Sequence, residues 1–193
     1  MLPTDMLRED HDLIFLVLRA MKAEVHNFES TGKINLDKIE KFLDFTENFS
    51  DGYHHIKENK LFRLLEENGM SKDSSSISEL YKEHTHDKVF TMSISKNIEA
   101  AKQGDSESLK EIKENLSAYI EMVKNHIYTE NNIIFNNAER MLNRVAMDIL
   151  EIEYHQFDKQ KPIEKLRKKY RNLAFNIAGM NNEGMHSIPL VIV

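Results

Sequence analysis

From Leu109 to Met141 the chain sets Leu109, Ile112, Leu116, Tyr119, Val123, His126, Glu130, Ile133, Asn137 and Met141 at spacings of three and four. That rhythm is one face of an α-helix, held over a length that no ordinary strand reaches. A stripe so long must be covered by other helices or by a sheet of comparable length. The same rhythm runs through Leu7, His11, Ile14, Leu18, Met21 and Val25, with Thr4 or Asp5 placed to cap the start. STGKIN, 30–35, interrupts it. A second run passes through Leu36, Leu43, Phe49 and Leu61 to about Glu67, and the turn residues of NGMSKDSSS, 68–76, end it. A third helix is expected over roughly 77–102, closed by QGDS at 103–106.

Only six Gly and three Pro occur in 193 residues, too few breakers for the many turns of a sheet-rich fold. Amphipathic segments joined by short loops predict an all-α fold, an antiparallel up-down four-helix bundle over 1–144. LEIEYHQFDKQKP and PIEKLRKKYRNLAFNIAG predict a C-terminal helical extension over 145–193, packed on the bundle. Pro162 suits a first turn there and Gly179 a stop. The tail NNEGMHSIPLVIV is apolar at its end but too short to span a bilayer, and is expected to be mobile or docked.

Lys and Arg number 26 against 32 Asp and Glu, a net charge of −6. No basic face is implied, so neither nucleic acid nor an anionic membrane is an expected partner. The absence of Cys excludes disulfides, thiolate nucleophiles and Cys-ligated clusters, leaving His and carboxylates as possible metal ligands. No run of 18 apolar residues exists, and MLPTDMLREDHD lacks a basic-then-apolar pattern, so a cytoplasmic location is expected.

Two stretches then stand out. HHIKENKLF at 54–62 is echoed by HIYTENNIIF at 126–135, each opening His-x-x-x-Glu-Asn. Residues four apart on a helix differ by about 40° in direction, so His54 and Glu58 share a face, as do His126 and Glu130. On the fourth helix that face is the apolar one. Buried carboxylates cost several kcal/mol unless paired, hydrogen-bonded or bound to metal. His11 precedes His54 by 43 residues and His84 precedes His126 by 42, so a lone His followed by His-x-x-x-Glu occurs twice. Four antiparallel helices could bring these four imidazoles and two carboxylates to one point, as a nitrogen-rich dinuclear metal site requires.

The competing readings are plainer. Each His–Glu pair alone would be an incidental contact on an exposed helix, and His11 alone a core histidine. His84 and His86 lie about 200° apart on a helix, and His84, sharing a face with Leu80 and Tyr81, is the inward choice. His55, about 60° from Glu58, is expected beside the site rather than as a ligand. His26, His155 and His186 read as surface residues, and Tyr81 and Tyr119 as core.

At LREDHDLIFLVLRAM, GYHHIKENKLF, LYKEHTHDKVF and SAYIEMVKNHIYTENNIIF the chain resembles the hemerythrin-like (HHE cation-binding) family over nearly its whole length. The resemblance implies a non-haem, carboxylate-bridged centre of two Fe ions. Its ligands would be His11, His54, Glu58, His84, His126 and Glu130, with Glu58 and Glu130 bridging. It also implies small partners: O2, H2O2 or NO. The sequence departs from the family pattern at Lys88, where oxygen carriers have a fifth His. It departs again at Asn59 and Asn131, which replace acids, and at Arg63, which replaces Pro. These departures favour an open or differently ligated centre over simple oxygen carriage. An iron- or redox-sensing interaction protein is the alternative, and a metal-free structural bundle the third reading.

Overall fold

The computed structural model describes residues 1–70 and 75–180, so the Ser run of the second loop and the C-terminal tail from 181 lie largely or wholly outside the described residues. The helices are α1 (Pro3–Thr31), α2 (Leu36–Phe45), a π-helical segment Thr46–His54, α3 (His55–Glu67), α4 (Ser75–Lys102) and α5 (Ser106–Thr129). They are followed by a second π-helical segment Glu130–Ile134, α6 (Phe135–Met141), α7 (Arg144–Asp158) and α8 (Lys161–Ile177). Because α2 runs into α3, and α5 into α6, through π turns, these amount to six helical rods. Helix accounts for 89% of the described residues, with no strand among them.

Side-chain caps fix several starts. Asn35 accepts from the Lys38 N–H, Asp105 from Ser108 and Asn143 from Ala146. Gly32 ends α1 with φ of 69°, a left-handed turn that costs glycine little. The first helix begins ahead of the expected caps. Leu2 is its N-cap, Asp5 reaches back to accept from the Leu2 N–H at 3.1 Å, and Thr4 is buried and donates to Glu139 at 2.7 Å. Pro3 starts the helix because its fixed φ suits a first turn and it has no N–H to leave unpaired.

The apolar residues form two clusters. One gathers Ile14, Met21, Phe42, Phe49, Tyr53, Ile94, Leu116 and Val123 with Tyr170 and Phe175 of α8; the other gathers Leu7, Leu61, Leu65, Leu80, Ile134 and Phe135 with Leu150 and Tyr154 of α7. Each of the four long rods joins both clusters. Along α1 the order is Leu7, His11, Ile14; along α2–α3 it is Tyr53, Glu58, Leu61. Along α4 it is Leu80, His84, Ile94, and along α5–α6 it is Val123, Glu130, Ile134. The order therefore reverses from each rod to the next, and the His and Glu residues fall between the two clusters.

The π segments set the register. Phe45, Phe49, Tyr53, Lys57, Leu61 and Leu65 are all at most 1% exposed. A strict period of four drifts by about 40° per step on an α-helix, and the wider π turns absorb that drift. Downstream of the second π segment the α rhythm fails by one residue. Ile133 and Met141, expected on the buried face, are 43% and 42% exposed, whereas Ile134, Ala138 and Leu142 are buried. One residue added to the turn at Glu130–Ile134 rotates everything after it. Ile134→Ala should therefore cost about 2–5 kcal/mol in urea unfolding, and Ile133→Ala within about 0.5 kcal/mol. Equal costs would return the segment to a regular α register.

Candidate metal centre

The layer between the two apolar clusters contains His11 from α1, His54 from the end of the first π segment, and His55 and Glu58 from α3. His84 enters from α4, His126 from α5, and Glu130 from the start of the second π segment. His11, His54, Glu58 and Glu130 are at most 2% exposed.

The carboxylates divide this layer in two. Glu58 Oε1 lies 2.8 Å from His54 Nε2 and 3.3 Å from His11 Nε2, and Glu130 Oε2 lies 3.2 Å from His11 Nε2. The other oxygens face the opposite way. Glu58 Oε2 is 3.5 Å from His84 Nε2, Glu130 Oε1 is 3.2 Å from His126 Nε2, and the two Nε2 atoms of His84 and His126 stand 3.1 Å apart. Each carboxylate thus gives one oxygen to each half. Donor atoms of His11, His54, Glu58 and Glu130 lie within 4.8 Å of one another, as do those of His55, Glu58, His84 and His126.

The six residues singled out in the sequence therefore meet, while His86, His26 and His155 are exposed. Tyr119 is buried, but Tyr81, expected in the core, is 36% exposed. The residue that sequence reasoning set to one side is His55. Its ring stacks on His84 at 3.8 Å between centroids, inside the layer. A uniform α-helical wheel turned it away, and the π segment ending at His54 is what the wheel omitted. The period-four aromatics Phe45, Phe49 and Tyr53 immediately before the His-His pair were the available signal.

The far sides of three rings are also held. His126 Nδ1 is 2.8 Å from Glu83 Oε2, His11 Nδ1 is 3.0 Å from Asn131 Oδ1, and His54 Nδ1 is 3.4 Å from Asp10 Oδ2. With Nδ1 donating to these acceptors, each Nε2 turns a lone pair inward. Asn131, which departs from the family pattern, supplies one acceptor. Burial works against the Asp10 anion, but the Lys57 ammonium hydrogen-bonded to it keeps its carboxyl below the usual range.

Burial also opposes charge on His11, yet Glu130 and Glu58 outweigh it and lift its pKa to about 9. Burial is outweighed at His126 too, chiefly by Glu130, and the ring sits well above its ordinary value. Burial and then His84 push His55 well below, so it stays neutral. Burial disfavours the Glu58 anion, but His54 leads the neighbours that hold it well below the carboxylate range.

Three deeply buried carboxylate oxygens, Glu58 Oε2 and both oxygens of Glu130, have no partner in hydrogen-bond geometry, although imidazoles stand beside them. Unbonded buried carboxylates are costly, and cations bound between oxygen and imidazole lone pairs would remove that cost. Imidazole-rich N/O sets of this kind suit first-row transition ions rather than Mg2+ or Ca2+. The residues present fit a metal.

The model for the hemerythrin HHE cation-binding domain matches residues 2–138. The chain belongs to the hemerythrin HHE family. Comparisons with curated proteins and with solved structures find no match. Family membership together with the His/Glu layer makes this a metal-binding protein. The hemerythrin HHE match stops within α6 and leaves α7 and α8 outside it. No helix among the described residues is long and apolar enough to cross a membrane.

In the metal-free protein the raised His11 has a definite pH signature. Its stabilisation is complete below the unfolded value of 6.5 and is lost as pH rises through about 9. His126 acts in the same direction, and neutral His55 acts only below that window. The urea midpoint of chelator-treated protein should fall between pH 6.5 and about 9. The metal-loaded protein should hold its midpoint there, since metal replaces the protons. A flat curve without metal would refute the imidazolium–carboxylate pairing.

Proposed function

We propose that the chain carries a dinuclear non-haem iron centre that binds or reacts with dioxygen, peroxide or nitric oxide. The supporting observation is the division of both carboxylates between two sets of imidazoles. His11 and His54 would hold one iron, His84, His126 and His55 the other, with Glu58 and Glu130 spanning both. Bound iron supplies a redox-active Lewis acid with room for a small ligand.

The chain's own groups do the rest. Glu83, Asn131 and Asp10 orient the imidazoles through Nδ1. Phe135 stacks on His11 at 5.6 Å between centroids and walls the first half from water. Beside the second half is a cavity of about 20 Å3 lined by His54, His55, His84, His126, Ile14, Tyr119 and Val123. That is space for a single water-sized guest, which suits a diatomic ligand or peroxide better than an organic substrate. The antiparallel up-down ordering of the four long rods belongs to this reading, supported by the reversed order of the two clusters from rod to rod. So do the division into a bundle over 1–144 and an extension over 145–193, and a cytoplasmic location.

A second reading, an iron- or redox-sensing interaction protein, draws on one chain of contacts. From His54 it passes to Asp10, to Lys57, to the Tyr53 hydroxyl at 3.0 Å, and on to Asp158 of α7 at 2.8 Å. Metal state at His54 would then reach α7, and iron would change hydrogen exchange there.

Protein made in iron-replete medium should hold about two irons per chain, with a visible band that bleaches on reduction and returns in air. Glu58→Gln with Glu130→Gln should remove both, and His55→Ala should lower the content towards about one. Iron below about half an atom per chain in fully helical wild-type protein would sink the reading.

A further inference from the structure

A third group of donors lies outside the layer just described. Asp51 from the first π segment, His55 and Asp87 from α4 have donor atoms within 4.8 Å of one another. Asp87 is 4% exposed and its Oδ1 has no hydrogen-bond partner; Ser50 is also 4% exposed, and its Oγ likewise has none. Both line the cavity that reaches His84 and His126. Asp51 Oδ1 also lacks a hydrogen-bond partner and stands 3.4 Å from His55 Nδ1. The Asp51 side chain is 19% exposed, so this group of donors meets solvent, as does the His126 side of the cavity, where Glu83 is 25% exposed. Lys88, next to Asp87, is exposed, and its charge favours the anionic form of both carboxylates.

We propose that Asp51, Asp87 and His55 form a loading site for a divalent transition cation, beside the cavity that His55 and Asp87 line together with His84 and His126. This deepens the dinuclear reading and rests on it. Burial and then the Asp51 charge push the Asp87 carboxyl up to about 7, and the empty pair shares a proton through an Asp51–Asp87 hydrogen bond that a cation would displace. A carboxylate-lined cleft also raises the local concentration of divalent ions and their rate of entry.

His55 decides between a resident ion and a passing one. By distance it belongs to this group and also to the group with Glu58, His84 and His126. A neutral imidazole has one lone pair, so it serves one side at a time. The two cation positions that share His55 therefore alternate, and the loading site is the earlier of the two. The ion exchanges carboxylates for imidazoles, with no change of oxidation state, and the His55 proton moves to the nitrogen left free.

The test uses metal-free full-length protein mixed anaerobically with Co2+, whose visible absorption reports entry into the imidazole-rich centre. Wild-type loading should saturate with Co2+ concentration and end at about two ions per chain. Asp87→Asn, and Asp51→Asn with Asp87→Asn, should slow loading by about tenfold or more and make it linear in Co2+, with the final content unchanged. Asp51→Asn alone changes only a half-buried position and should slow loading in the same sense. An unchanged rate in all three variants, or a lower final content at an unchanged rate, overturns the loading site and leaves the centre standing. Wild-type protein that takes up no Co2+ overturns the dinuclear reading as well.

Discussion

Glu58 and Glu130 face each other across the middle of the molecule, fully buried; burial and then the Glu58 charge push the Glu130 carboxyl upward, but His126 and His11 outweigh them and hold it below its ordinary range. No lysine or arginine reaches either of them in an ion pair among the described residues; their partners are His11, His54, His84 and His126. Two like charges in a low-dielectric layer need positive charge there, from imidazolium in the empty protein or from metal in the loaded one. The split of the core into two apolar clusters follows, because this layer has to pass between them. So does the ring of outer acceptors, since imidazoles that serve inward with Nε2 need a partner for Nδ1.

The π segments are the local cost of that arrangement. Widened turns have poorer hydrogen-bond geometry than α turns and occur mainly where a side chain must be re-aimed. The first ends at His54 and the second begins at Glu130. Phe45, Phe49 and Tyr53 offset the first by packing against one another, with ring centroids 4.9 and 5.3 Å apart. His54, His55 and Glu58 then reach the same layer from adjacent turns.

Much of this was legible from residue types alone. The long three-and-four rhythm gave the rods, and the doubled His-x-x-x-Glu with matched upstream His11 and His84 gave the residues that meet. Helical periodicity assumes 3.6 residues per turn throughout, and each error traces to a place where that fails or to a contact from another rod. Ile133, inside the second π segment, was placed on the buried face, and His55, which abuts the first, at the margin. Thr4 was offered as a cap, yet it is buried against Glu139 of α6, a partner more than a hundred residues away. Lys57 was not singled out, since a buried lysine cannot be told from a surface one until Asp10 and Tyr53 are seen around it.

Lys57 also bears on which ligands the centre prefers. Its ammonium is buried, is held by Asp10 and lies 4.7 Å from the Tyr53 ring centroid, so Asp10 is neutralised from within the chain. The charge facing the metal positions then comes from Glu58 and Glu130, with imidazoles as the other donors. Two carboxylates balance only half the charge of two divalent ions, and low dielectric makes the remainder costly. On the dinuclear reading, Glu58 and Glu130 by themselves leave positive charge on the metals, with Glu83 and Asp87 as the further carboxylates on the adjoining cavity, which admits a water-sized guest. Such a site favours small ligands that are anionic or become so on taking up electrons. Dioxygen, peroxide and nitric oxide meet that condition, and a neutral organic substrate does not.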